Sequence, residues 1–121
     1  MKKNFSNSVT FGSYVRELRI NYNFGQRELA NKIGIAPSYL NDIEKNKRSA
    51  PKTDIIKKIS LYLKADLNLL NDLAGKSKKT LPPDIIDYVE KNPKIISLIR
   101  SVKNNSLNED EIEIFIDKEI K

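Results

Sequence analysis

Apolar residues recur along this chain at helical spacing, and residues that stop helices fill the gaps between the recurrences. Phe11, Val15, Leu18 and Tyr22 are separated by four, three and four positions, which places them along one face of a helix. Thr10 is its expected cap, and Asn23-Phe24-Gly25 breaks the pattern. A second helix is predicted over Gln26–Ile33, with Leu29, Ala30 and Ile33 inward and Gly34 as the stop. Pro37 suits the first turn of a third helix, where its missing N–H loses no partner. That helix is predicted to reach about Lys45 and then turn at Asn46, because asparagine tolerates left-handed backbone. A fourth helix is predicted from Lys52 or Thr53 to Leu63, with Ile55, Ile56, Ile59 and Leu63 inward. Asp66 is the expected cap of a short fifth helix carrying Leu67, Leu70 and Leu73.

The stretch from Gly75 to Thr80, GKSKKT, contains no apolar residue and reads as a linker. This divides the chain into 1–75, a linker at 76–80, and 81–121. Leu81, Ile85, Tyr88 and Val89 then mark a sixth helix opening with Pro82-Pro83, and Asn92-Pro93 ends it. Ile95, Leu98, Ile99 and Val102 fit the amphipathic template of a seventh. Ser106-Leu-Asn-Glu109 has capping-box spacing before Ile112, Phe115, Ile116 and Ile120. No segment alternates with period two, so an all-α protein of eight helices is expected. Three short isoleucine-rich helices bury little by themselves. They must pack on the first domain or on a second copy, and the linker favours the second copy. Ile95, Leu98, Ile99, Val102, Ile112, Phe115 and Ile116 are the expected dimerisation residues of a homodimer.

Composition narrows the chemistry. Among 121 residues there is no cysteine and no histidine. That excludes a disulfide framework, thiolate metal sites, the usual general base and the triads built on it. No metal, cofactor or enzymatic activity is expected. No apolar run is long enough to span a bilayer, and MKKNFSNSV lacks the apolar region of a secretory signal. A cytoplasmic protein without a membrane partner is expected. The net charge of +6 is unevenly placed: residues 1–75 hold 13 Lys and Arg against 7 Asp and Glu, whereas residues 76–121 hold 9 of each. A basic first part is the footprint expected for phosphate backbones; charge alone fits equally well with lysines that keep the protein soluble.

The predicted second and third helices are joined by Gly34-Ile35-Ala36, the spacing of a helix-turn-helix. Phe24-Gly-Gln-Arg-Glu-Leu-Ala-Asn-Lys-Ile-Gly34, then Tyr39-Leu-Asn-Asp-Ile-Glu44 and Arg48-Ser-Ala-Pro51, resembles the Xre family of bacterial and phage repressors over about residues 11–74. The resemblance implies a five-helix, lambda-repressor-like domain that binds double-stranded DNA, with the third helix as recognition helix. It implies that Gln26 at the start of the second helix, with neighbouring Arg27, meets a DNA phosphate. It implies an ion pair between Arg19 and Glu44 holding two helices together. It also implies that Tyr39, Asn46, Lys47 and Arg48 lie along a phosphate strand.

On the third helix, Ser38 can donate or accept at a base edge, Asn41 can pair with adenine, and Asp42 can accept from the cytosine amine. Pro37 stands where relatives often carry a hydrogen-bonding side chain, and it can only touch a thymine methyl. Ala36 similarly departs from the usual Ser or Thr cap. A repressor binding a palindromic operator is the expected function.

Two other classes, an enzyme and a protein-interaction module, compete with this reading. Gly75-Lys76-Ser77 resembles the end of a phosphate-binding loop, yet Leu70 stands where the earlier glycine is required. Asp84 with Asp87, and the cluster Glu109, Asp110, Glu111 and Glu113, sit in first turns of helices, where the macrodipole favours acids. The alternative is a protein-interaction role. Some members of the family are antitoxins, and others are inactivated by a regulatory peptidase that cuts the dimerisation tail, so the tail here could meet a toxin or such a peptidase.

Overall fold

A computed structural model describes residues 9–120, so MKKNFSNS, most of the segment read for a signal, lies outside the described residues. Eight α-helices form among them: α1 (Phe11–Asn21), α2 (Gln26–Ile33), α3 (Pro37–Glu44), α4 (Thr53–Leu63), α5 (Leu67–Lys78), α6 (Pro83–Lys91), α7 (Lys94–Asn104) and α8 (Glu109–Ile120). None is long and apolar enough to cross a membrane. The caps follow from local chemistry. Thr10 Oγ1 accepts from Ser13 N–H at 3.1 Å, and Ser13 Oγ accepts from Thr10 N–H at 2.9 Å. This is a reciprocal capping box in which serine takes the part usually played by Glu or Gln. Asp66 Oδ1 accepts from the N–H groups of Asn68 and Leu69. Gly34 ends α2 at φ +80°, and Asn46 takes φ +61° after α3, as their residue types predict.

The chain divides into two compact units, the first ending at Ile86 and the second beginning at Asp87. The first is built on Phe11, Val15, Leu29, Ile33, Leu40, Ile43, Ile56, Ile59, Leu63 and Leu70, all withdrawn from solvent. Each α-helix from α1 to α5 contributes its inward stripe to this one core. α1 approaches α3 closely at Gly12, where a Cβ would collide with the Ile43 carbonyl and sit 2.9 Å from Asn46 Oδ1. Any larger residue at 12 must push α1 away from the end of α3.

Three sequence expectations change. Tyr22 does not continue the stripe of α1: it is the C-cap of that helix and 45% exposed. The segment 76–80 is not all linker, because α5 continues through Lys78 and ends in a left-handed cap at Lys79. Gly75 is buried inside that helix, and a Cβ on it would lie 2.8 Å from Leu81 C and Pro82 N. The missing side chain therefore lets the Leu81–Pro82 backbone cross α5 directly. Finally, Ser106 does not cap α8. It occupies a left-handed turn (φ +51°), and Asn108 Oδ1 accepts from Glu111 N–H at 2.8 Å instead.

Asp66, Asp72 and Asp84 lie along α5 and at the start of α6. Burial, with the charges of Asp84 and Asp66 adding to it, lifts the Asp72 carboxyl above its ordinary range. In the second unit no residue of α7 is buried, and Leu98, Ile99, Ile112, Phe115 and Ile116 are exposed in the single chain. Ile95 and Val102 are half-buried.

Candidate nucleic-acid interface

α2 and α3 share the inward residues Leu29, Ala30, Ile33, Leu40 and Ile43, which fixes the angle between them through the core. The turn between them is short because Gly34 reverses direction at positive φ, a conformation glycine adopts without strain. Pro37 occupies the first turn of α3 after Ala36, whose side chain gives no cap. The remaining face of α3 carries the predicted base readers: Ser38 is exposed, while Pro37, Asn41 and Asp42 are half-buried.

Beneath this face lies a polar network. The Arg19 guanidinium is bidentate on Glu44, with Nε donating to Oε2 at 2.7 Å and Nη2 to Oε1 at 2.9 Å. Its Nη1 donates to the Phe24 carbonyl at 2.8 Å, tying the end of α1 to the chain entering α2. The Glu44 side chain is 1% exposed and that of Arg19 11%. An ion pair this dry stands only when each partner's hydrogen-bonding capacity is met; the bidentate geometry and one further donor to Glu44 meet it.

Gln26 belongs to the same network. Its Nε2 donates to Glu44 Oε1 at 3.0 Å and to Asn41 Oδ1 at 3.2 Å. The expected phosphate donor thus has its amine turned inward. What α2 offers outward is its first-turn backbone, since Gly25 contributes no side chain to the cap. Such N–H groups suit an anion. Arg27 stands exposed beside them.

After α3 the chain from Lys45 to Ser49 is exposed throughout. Lys47 N–H donates to the Asp42 carbonyl at 2.8 Å, so the left-handed Asn46 folds the loop back onto the end of α3. The Arg48 guanidinium lies 5.6 Å from the centre of the half-buried Tyr39 ring, a stacking distance for a cation on an aromatic face. Tyr39 thereby braces Arg48 at the loop's outer edge. The interface residues named from the sequence therefore fall together on one stretch, 25–48. Gly12 and the Phe24 carbonyl, which hold that stretch in place, had no pattern to betray them.

A family model described as a helix-turn-helix domain matches residues 12–76. The chain belongs to this helix-turn-helix family, of the Xre and lambda-repressor type. Among its relatives is the HTH-type transcriptional regulator SinR of Bacillus subtilis (strain 168), 33% identical over 61 residues, which are 50% of this chain and 55% of that protein. The ImmF control region 10 kDa protein of Bacillus phage phi105 is 34% identical over 59 residues, 49% of this chain and 64% of that one. A solved structure of SinR in complex with DNA is similar at 31% identity and a TM-score of 0.47, covering 50% of this chain and 97% of the other. A SinR–SinI complex is similar at 23% identity and a TM-score of 0.49, covering 90% of this chain and 93% of the other. The chain spans less than two thirds of the length of these curated relatives.

Proposed function

We propose that this protein is a sequence-specific DNA-binding transcriptional regulator, a cytoplasmic, non-enzymatic repressor that occupies a palindromic operator as a homodimer. The observation that carries this is the joint exposure of the polar edge of α3 and the basic loop 45–49 on a buried ionic base. Phosphate contacts supply affinity and register, and the α3 edge supplies sequence. Ser38, Asn41 and Asp42 face bases; Arg27, Lys47, Arg48 and the α2 backbone N–H groups face phosphates.

The second unit supports the homodimer. Its exposed apolar residues recur at helical spacing on α7 and α8, and about 35 residues rarely sustain a core alone. A second copy presenting the same stripes covers both at once. Two recognition helices about 34–36 Å apart then enter successive major grooves and exclude polymerase sterically. A toxin or peptidase on the same stripes would appear as a chain that stays monomeric in isolation.

Selection from a random duplex library, followed by titration at several salt concentrations, tests the function. One duplex family should emerge, with affinity falling steeply as salt rises. Lys47→Ala and Arg48→Ala should weaken all duplexes alike, each reducing the log–log salt slope by about one. Unchanged slopes in both variants would remove the loop from the phosphate contacts.

A further inference from the structure

Leu61 and Ile114 are the most exposed large apolar residues among those described, at 71% and 66%. Neither belongs to an inward stripe. Leu61 stands on α4 between the buried Ile59 and Leu63. Ile114 lies two positions from both Ile112 and Ile116, on the side of α8 away from them. A single exposed leucine is ordinary. The surroundings of these two are not.

On a helix the surface neighbours of a residue lie three and four positions away. Around Leu61 these are Lys57, Lys58, Lys64 and Ala65, and the three lysines are exposed. Around Ile114 they are Asp110, Glu111, Asp117 and Lys118, all exposed. Tyr62, next to Leu61, has Lys32 Nζ 5.7 Å from its ring centre, which adds a cation to the α4 side. Within α4 only Asp54 offsets these charges. One helix thus shows an apolar residue in a basic ring, and another shows one in an acidic ring.

We propose that the outer face of α4 is a docking surface for the outer face of α8 from a second copy of this chain. Charge complementarity selects the occupant. Exposed ion pairs add little affinity, so Leu61 against Ile114 holds the contact, and the charges choose partner and direction. With those two residues apposed, a parallel alignment sets Lys57 and Lys58 opposite Asp110 and Glu111, and Lys64 opposite Asp117. An antiparallel alignment would set Lys118 opposite Lys57. Parallel docking is therefore favoured. Each copy carries both faces, so two copies exchange the contact twice, which doubles the buried area and closes the pair. The contact needs no DNA, and it leaves Ile112 and Ile116 free for the homodimer proposed above.

The absence of cysteine from the chain gives a direct test. Full-length Leu61→Cys and Ile114→Cys proteins are mixed without DNA, equilibrated under reducing conditions and then oxidised. A disulfide forms only where Cβ atoms come within about 3.5–4.5 Å. The mixed 61–114 product should dominate over 61–61 and 114–114 on a non-reducing gel. Adding Lys57→Glu and Lys58→Glu to the Leu61→Cys protein should lower its yield at least about tenfold, since like charges across an interface are costly. Adding Asp110→Lys and Glu111→Lys to the Ile114→Cys protein should restore it. Circular dichroism checks the fold of each variant, and Lys64→Glu against Asp117→Lys provides a second swap should the first unfold. No excess of the mixed product, or folded swaps that neither lower nor restore it, would overturn the proposal. So would a Leu61→Cys, Ile114→Cys double variant that closes the bond within one chain. Each of these failures leaves the DNA-binding reading standing, because duplex selection tests that separately.

Discussion

Glu44→Ala should lower the stability of the first unit by about 3–5 kcal/mol, the range for removing one partner of a buried ion pair. The carboxylate accepts two bonds from Arg19 and one from Gln26 while only 1% exposed. Without it, the guanidinium keeps only the Phe24 carbonyl, with 11% of its side chain reaching solvent. A charge so placed must either stay poorly solvated or pull the end of α1 outward to reach water. Since small domains are stable by only about 5–15 kcal/mol in total, a large fraction of the protein should unfold at modest urea. The midpoint of a urea titration reads the effect. The double variant Arg19→Met, Glu44→Leu should regain most of the loss, because apolar residues of similar volume leave no orphan charge. A Glu44→Ala change below about 1 kcal/mol would mean that water reaches the pair freely.

The other large effect is expected in the second unit. Ile99→Glu combined with Phe115→Glu places two charges on the apolar stripes of α7 and α8, at positions 51% and 53% exposed in the single chain. The first unit has its own core and should keep its urea midpoint. The proposed homodimer should dissociate to monomers in sedimentation velocity. Operator affinity should then fall by about 10²- to 10⁴-fold, the gain usually conferred by joining two binding modules. A dimer of undiminished affinity in this variant would show that these stripes do not join the two copies.

The two units were legible in the sequence to different depths. Helix positions and most caps were legible because they depend on residues three or four apart, as with Thr10 and Ser13 or Asp66 and Leu69. The end of α5 was not. An exposed last turn made of Lys76, Ser77 and Lys78 has the composition of a linker, and only the crossing of Leu81–Pro82 over Gly75 distinguishes the two. Gly12 was illegible for a similar reason, since its neighbour Ile43 is remote in sequence. In the tail, two caps compete within Ser106–Glu111, and Asn108 prevails because Ser106 is taken by the turn.

At the interface, the Arg19–Glu44 pair came from family resemblance, and the structure supplies its geometry. The Gln26–Asn41 bond came from neither, because residue types give an amide's place and not which end it turns toward a neighbour.

Residues 25–48 are proposed to meet DNA with α3 in the major groove. A ¹⁵N NMR titration of the full chain with its selected duplex tests it most directly. Backbone amides of Gln26–Glu28 and Ser38–Arg48 should shift together and saturate at one duplex per two chains. A duplex that binds while those amides stay in place and others move would contradict the account.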